Sequence, residues 1–164
     1  MATQVQFRRG TTSQHGSFTG AVGEVTVDTD KDTVVVHDGS QAGGFAIPNL
    51  KTAQEFTKTQ NFNATTLSDA STIAWDASSN QVAKVTLGGN RTLGAATNQV
   101  DGAVYVLTVI QDGTGGRTLS FNSNYKFTGG SAPTLSTAAS ATDVLVFLSN
   151  GTNMLEIGRS LNVS

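Results

Sequence analysis

Cysteine is absent from the 164 residues, so no disulfide braces any part of this fold. Charge is also scarce. Only 13% of residues are charged, against roughly 25% in an average globular chain. The formal net charge is −2, with Lys and Arg scattered. A phosphate backbone needs a basic stripe, so nucleic acid is not an expected partner. No apolar run approaches the roughly 20 residues of a membrane span, and the opening MATQVQFRRG lacks the apolar core of a signal peptide. Neither membrane insertion nor an export signal is expected. The common catalytic signatures are missing as well: there is no GxSxG elbow, Walker loop, HExxH or cysteine nucleophile. The expectation is a non-enzyme with no catalytic residues and no cofactor.

What fills the chain is Gly, Ser, Thr and Asn between β-branched runs. Hydrophobic residues are 37%, below the roughly 45–50% of average chains. Disordered segments share that deficit but carry high charge, which this chain does not. The composition therefore predicts an all-β protein with many tight turns.

The first third centres on GEVTVDTDKDTVVVHDG, a β-hairpin by its pattern. Val25 and Val27 alternate with polar residues, Asp28 to Asp32 form a polar turn, and Thr33 to His37 is a β-branched run closed by Asp38-Gly39. A domain of about 50 residues buries a small fraction of its surface and needs disulfides, a metal or association to stand. With no cysteine and no strong metal motif, association with other copies is what remains.

These residues also carry a resemblance. QFRRGTT, the His15 to Phe18 segment, FTGA, the VTVDTDKDTVVVHDG hairpin and AGGF before Pro48 closely resemble the N-terminal domain of the phage major tropism determinant, over residues 5–48. The resemblance implies an intertwined trimeric β-prism, a homotrimer, and attachment through this domain to other virion proteins of baseplate, tail or capsid. It also implies a virion location, with assembly in the host cytoplasm and exposure on the particle surface, which needs no export signal. Candidate trimer-interface residues are Phe7, Phe18, Val34 and Val36, joined by Leu50 and Phe56 from the segment that follows.

Two features invite a metal reading. His15 and His37 lack a Cys or further His at ligand spacing, which favours hydrogen bonding or stacking in a trimer interface. Asp28, Asp30 and Asp32 alternate as in a calcium loop, but the sixth-position Gly and twelfth-position Glu are missing. A solvated hairpin turn accounts for them. No metal site is assigned.

Residues 1–48 are thus expected to form the trimerisation and attachment domain. Residues 49–60, NLKTAQEFTKTQ, form a neck or linker in which Leu50, Ala53 and Phe56 fall at helical spacing. Residues 61–164 then form a β-sandwich or jelly-roll knob. Its expected strands are Thr72–Asp76, Val82–Leu87, Ala103–Gln111, Thr118–Asn122, Asp143–Ser149 and Met154–Arg159, separated by GGN, DGTGG, TGGSAP and NGTN turns. The IAWD strand and the GGNRTL and QDGTGGRTL turns resemble a terminal module of phage fibre proteins. GGNRTL and TGGRTL look like reused turn chemistry. Val104–Ile110 and Val144–Leu148 are apolar on both faces, so the second face needs cover, from loops of the same chain or from another subunit.

The expected function is a structural phage virion protein, a homotrimeric tail fibre or spike tip that adheres to a host surface glycan or protein. A capsid decoration or head fibre is the alternative, and a small polysaccharide depolymerase a more remote one. Asp76, Asp101, Asp112, Asp143 and Glu156 are dispersed, with no nameable acid pair. The candidate receptor-binding cluster is Tyr125, Lys126 and Phe127, in the long polar connection NSNYKFTGGSAP. Tyr125 and Phe127 also alternate as strand residues do, so a plug in the sandwich edge is the competing reading.

Overall fold

The computed structural model describes residues 5–49, 56, 58–79 and 81–163, and the chain separates into two compact units, Met1–Gln60 and Asn61–Ser164. The expected neck at 49–60 lies largely outside the described residues, Leu50 among them.

The first unit holds strands β1 (Arg8–Gly10), β2 (Val25–Asp28), β3 (Thr33–Val36) and β4 (Phe45–Ala46), which form one sheet in that order. The hairpin pairs Val25 with Val36 and Asp28 with Thr33 in antiparallel register. β4 returns antiparallel on β3, while β1 lies parallel to β2. Between β1 and β2 sits a single helical turn, α1 (Thr12–Gly16). One turn is marginal in isolation, and two devices hold it. Thr11 and Gln14 close a capping box. Thr12 then donates its hydroxyl to Asp28 at 2.7 Å and its backbone N–H to Asp30 at 2.9 Å. Asp28 is therefore buried, and its other oxygen accepts the N–H groups of Asp30 and Lys31. The turn expected to be solvated is instead an anchor: burial works against the Asp28 carboxylate, but the Thr12, Asp30 and Lys31 hydrogen bonds outweigh it and hold the pKa below its usual value.

The interior of this unit is mostly polar. Val35 is buried among Thr26, Thr33, His15 and His37. His15 Nδ1 lies 3.0 Å from the Thr11 carbonyl and must donate to it. With both rings neutral, the remaining protons then run one way. Thr26 donates its hydroxyl to His15 Nε2 at 2.8 Å and accepts from His37 Nε2 at 2.9 Å, and His37 Nδ1 accepts the Gly20 N–H at 3.4 Å. The rings stack, and Phe18 meets His37 edge-on at 5.2 Å. The histidines expected at a trimer interface are thus joined within one chain. Their seat explains a glycine: a Cβ at Gly20 would come within 2.6 Å of the His37 ring.

The second unit contains β5 (Thr65–Thr66), β6 (Thr72–Ile73), β7 (Val82–Leu87), β8 (Arg91–Leu93), β9 (Val104–Gln111), β10 (Leu119–Phe121), β11 (Tyr125–Lys126), β12 (Thr142–Ser149) and β13 (Met154–Ser160). Six strands form one sheet in the order β11-β13-β12-β9-β7-β5, and three form another, β10-β8-β6. Ile73, Leu93 and Leu119 of the smaller sheet share one core with Val85, Leu107, Leu145, Phe147 and Met154 of the larger, around Trp75 and Tyr105. Five of the six expected strands reappear within a residue or two, while Thr72–Asp76 is cut to Thr72–Ile73. The pairing differs from an antiparallel sandwich. β12 is antiparallel to both neighbours, but β7 runs parallel to β9 and to β5, β11 parallel to β13, and the smaller sheet is parallel throughout. The cause lies in the connections: GGN and DGTGG turn the chain from one sheet to the other, so β7 and β8, and β9 and β10, are not partners.

The GGNRTL and TGGRTL segments do the same job at two corners. Arg91 grips Asp69 through Nε and Nη2 at 2.7 and 2.8 Å, and Arg117 grips Asp112 at 3.1 and 2.8 Å. The Arg91 contact is bidentate, one nitrogen to each carboxylate oxygen, as the guanidinium fork favours, whereas both Arg117 nitrogens converge on Asp112 Oδ2 and leave Oδ1 to the Thr114 and Gly115 N–H groups. The Arg91 bonds lower the Asp69 pKa, and the Arg117 bonds lower that of Asp112.

Candidate functional site

The hairpin alternation separates two faces in the first unit. Thr26, Asp28, Thr33, Val35 and His37 point to the buried side. Directly opposite residues share a face, so the register sets Val25, Val36 and Phe45 in one row on the other side. Val27 and Val34 start a second row, completed by Ile47, whose N–H donates to the Val34 carbonyl at 2.8 Å. Val34 and Val36 are each 37% exposed, whereas Val35 between them is 2%. Phe45 and Ile47, and Phe7 at the opposite edge of the sheet, are more than half exposed. A strand set of two to four residues with one apolar face in water is the kind of patch that marks an interaction surface.

Of the candidate interface residues, Val34 and Val36 stand on this face, and Phe7 is exposed where β1 begins. Phe18 is placed differently, half-buried under the Arg8 guanidinium (5.0 Å) and against His37. Phe56 is exposed, and Leu50 is outside the described residues. Phe45 and Ile47 were not singled out from sequence, because β4 is only two residues long and shows no full period.

The second unit shows a related surface. Along β9 and β12 every second residue is buried, and the alternates Val106, Thr108, Ile110, Val144, Val146 and Leu148 are half-buried. Register brings Val146 beside Val106 and Leu148 beside Val104, which is 41% exposed. This is the second face of the doubly apolar strands.

The candidate receptor cluster is divided by the structure. Tyr125 is 4% exposed, its ring edge-on to Phe147 at 5.4 Å and to Phe121 at 5.9 Å. Phe127 is half-buried in the same aromatic group, 4.8 Å from Phe121. Lys126 alone of the three is exposed. β11 pairs in parallel with Met154 and Leu155, so alternation sends the two aromatic rings into the core. Burial raises the Tyr125 pKa, and its hydroxyl finds no hydrogen-bond partner among the described residues.

Four of the five dispersed carboxylates, all but Asp101, hold loops. Asp143 is buried and accepts from the Ser136 N–H and hydroxyl at 2.7 Å each and from the Asn162 N–H at 2.8 Å. Glu156 accepts from the Thr128 N–H and pairs with Arg159. Asp112 accepts from Thr114 and Gly115, and Asp76 from Ser78 and Asn98. Gln111, which sequence reading passed over, is buried and clamps two connections at once: it accepts from Arg117 N–H and donates to the Arg117 and Ser136 carbonyls. The connections that looked free to bind are tied to the scaffold. Among the described residues no group of three His, Cys, Asp or Glu could hold a metal ion.

Comparison with known proteins finds two separate matches along the chain. Residues 5–41 match the major tropism determinant N-terminal domain, and residues 50–154 match a putative phage tail fibre C-terminal domain. The chain is 41% identical over 155 residues to the tail fiber receptor-binding protein of Bordetella phage BPP-1. That alignment takes in 88% of this chain and 36% of the relative, so the chain spans about a third of the relative's length. The M1 and I1 variants of the solved major tropism determinant are each 69% identical over a stretch covering 27% of this chain and 12% of theirs, at a TM-score of 0.27. With a major tropism determinant N-terminal domain at its head and more than half its length in the second match, the chain belongs to the phage tail fibre C-terminal domain family.

Proposed function

We propose that this chain is the non-enzymatic tip of a homotrimeric phage tail fibre, with the first unit mounting it on other virion proteins and the second turned toward a host surface glycan or protein. The observation that carries the reading is the one-sided apolar face of Val25, Val27, Val34, Val36, Phe45 and Ile47. Three copies closing such faces on a common axis form an intertwined β-prism, the architecture we assign to residues 1–48, followed by a neck at 49–60 and a two-layer β-sandwich knob from 61. The half-buried β9–β12 face of the knob suits the same threefold contact. The receptor-binding role of the relative supports a host-facing task for a member of the same family, and the loop-bound carboxylates argue against a depolymerase.

The test is adsorption. Fluorescently labelled chain is titrated onto susceptible cells and onto phage-resistant cells. Saturable binding restricted to susceptible cells is expected. Absence of binding contradicts adhesion and leaves a passive assembly role, such as capsid decoration. Release of reducing sugar from the cells, lost in Asp112→Ala or Asp143→Ala, contradicts the non-enzymatic reading.

A further inference from the structure

Within the second unit a cleft of about 670 Å³ opens between the segment Asn61–Asn63, the loop after Trp75, and the stretch from Val100 to Tyr105. Its volume falls in the roughly 300–1,000 Å³ range of small-molecule sites. None of its lining residues is charged, so an anionic or cationic ligand finds no counter-charge there. Unused hydrogen-bonding capacity is available instead. The side-chain amides of Asn61 and Asn63 take no partner among the described residues, and each offers both donors and an acceptor. Gln81 donates to the Val104 carbonyl and keeps its amide oxygen. At the inner end, Tyr105 is 1% exposed and accepts the Val100 N–H at 3.0 Å. No acceptor among the described residues takes the proton of its own hydroxyl.

Two apolar groups are left in water at the same place. Phe62 is 60% exposed and Val100 62%. An exposed aromatic ring beside uncharged amides and hydroxyls matches one ligand chemistry well: a ring of hydroxyl groups with an apolar C–H face, which stacks on the aromatic plane while its hydroxyls exchange hydrogen bonds with the amides. We infer that this cleft is a binding site for a neutral saccharide unit, with Phe62 as the stacking platform and Asn61, Asn63, Gln81 and Tyr105 as its polar contacts. The inference rests on the second unit being the host-facing part and names the ligand class it takes.

The test is saturation-transfer NMR on the full chain with neutral sugars (glucose, galactose, mannose, N-acetylglucosamine) and acidic ones (galacturonic acid, N-acetylneuraminic acid). Transfer to at least one neutral sugar and to neither acidic sugar is expected, falling at least tenfold in Phe62→Ala. Asn63→Ala serves as a second variant, since both side chains are exposed and the fold does not depend on them. Unchanged melting of the unit, followed by Trp75 fluorescence, identifies a binding loss as a loss at the site. No transfer to any neutral sugar, equal transfer to acidic ones, or full transfer in both variants overturns the inference. If Phe62→Ala still adsorbs to cells as the parent does, the cleft fails while the adhesive reading stands. If the parent chain adsorbs to no cell, that reading fails first.

Discussion

Replacing Thr26 by valine tests the interior of the first unit. Thr26 is 1% exposed and joins His15 and His37 at 2.8 and 2.9 Å. Valine keeps the shape and removes the one oxygen that both rings use. His15 Nε2 then loses its donor and His37 Nε2–H its acceptor, both in places closed to water. Each buried group left unpaired costs about 1–3 kcal/mol, so Thr26→Val is expected to destabilise the unit by roughly 2–6 kcal/mol, a large share of what a small domain holds. Thr26→Ser keeps the hydroxyl and loses one methyl, at about 1 kcal/mol. Fluorescence is blind to this unit, because Trp75 and both tyrosines, Tyr105 and Tyr125, lie beyond residue 60. Amide hydrogen exchange read by mass spectrometry on peptides covering 23–37 supplies the opening free energy directly. Loss of protection in Thr26→Val with near-parent protection in Thr26→Ser is the expected pattern. Equal protection in both variants would refute the claim that the relay holds the sheet.

Among the described residues the buried Tyr125 hydroxyl has no partner, so Tyr125→Phe is expected to melt at or above the parent temperature, while Tyr125→Ala loses about 3–5 kcal/mol of stability. Trp75 fluorescence melts measure both, and a Tyr125→Phe variant that melts well below the parent would reveal a partner for the hydroxyl. Lys126→Ala, on the exposed side of the same strand, is expected to stay within about 0.5 kcal/mol of the parent. Asp69 is held below its usual pKa first by its Arg91 hydrogen bonds. A depressed carboxylate contributes stability above its unfolded pKa of about 3.9 and loses it as pH falls through the lower folded value. Melting of the second unit between about pH 5 and 2 is therefore expected to fall less steeply in Asp69→Asn than in the parent; parallel profiles would contradict this.

Much of the architecture is legible in the sequence where a period is long enough to read. Val82–Leu87 alternates over its whole length, β9 and β12 are long β-branched and apolar runs, and the structure returns these and β13 within a residue or two. Strands of two or three residues, β4, β5 and β11, carry no period, and their partners are set by tertiary contacts. The helical turn at Thr12–Gly16 had a local signal after all in Thr11-x-x-Gln14, a capping box too short to suggest a helix without the Asp28 tie. The candidate receptor cluster illustrates a different limit. Tyr125-Lys126-Phe127 looks like an exposed aromatic–cationic group only if the segment is a loop; one parallel pairing with β13 turns both rings inward. Phe62, in contrast, sits in NFNATT with no period to place it, and only the structure shows it standing over a cleft.

The central claim is that the apolar face of the first unit is closed by other copies of the chain. Light scattering coupled to size exclusion at micromolar concentration measures this most directly. The account predicts a mass three times the 16.9 kDa of one chain, reverting to a single chain in the Val34→Asp/Val36→Asp double variant while Trp75 fluorescence still reports a folded second unit. A stable monomer from the unaltered chain, or an undisturbed trimer from the double variant, would contradict it.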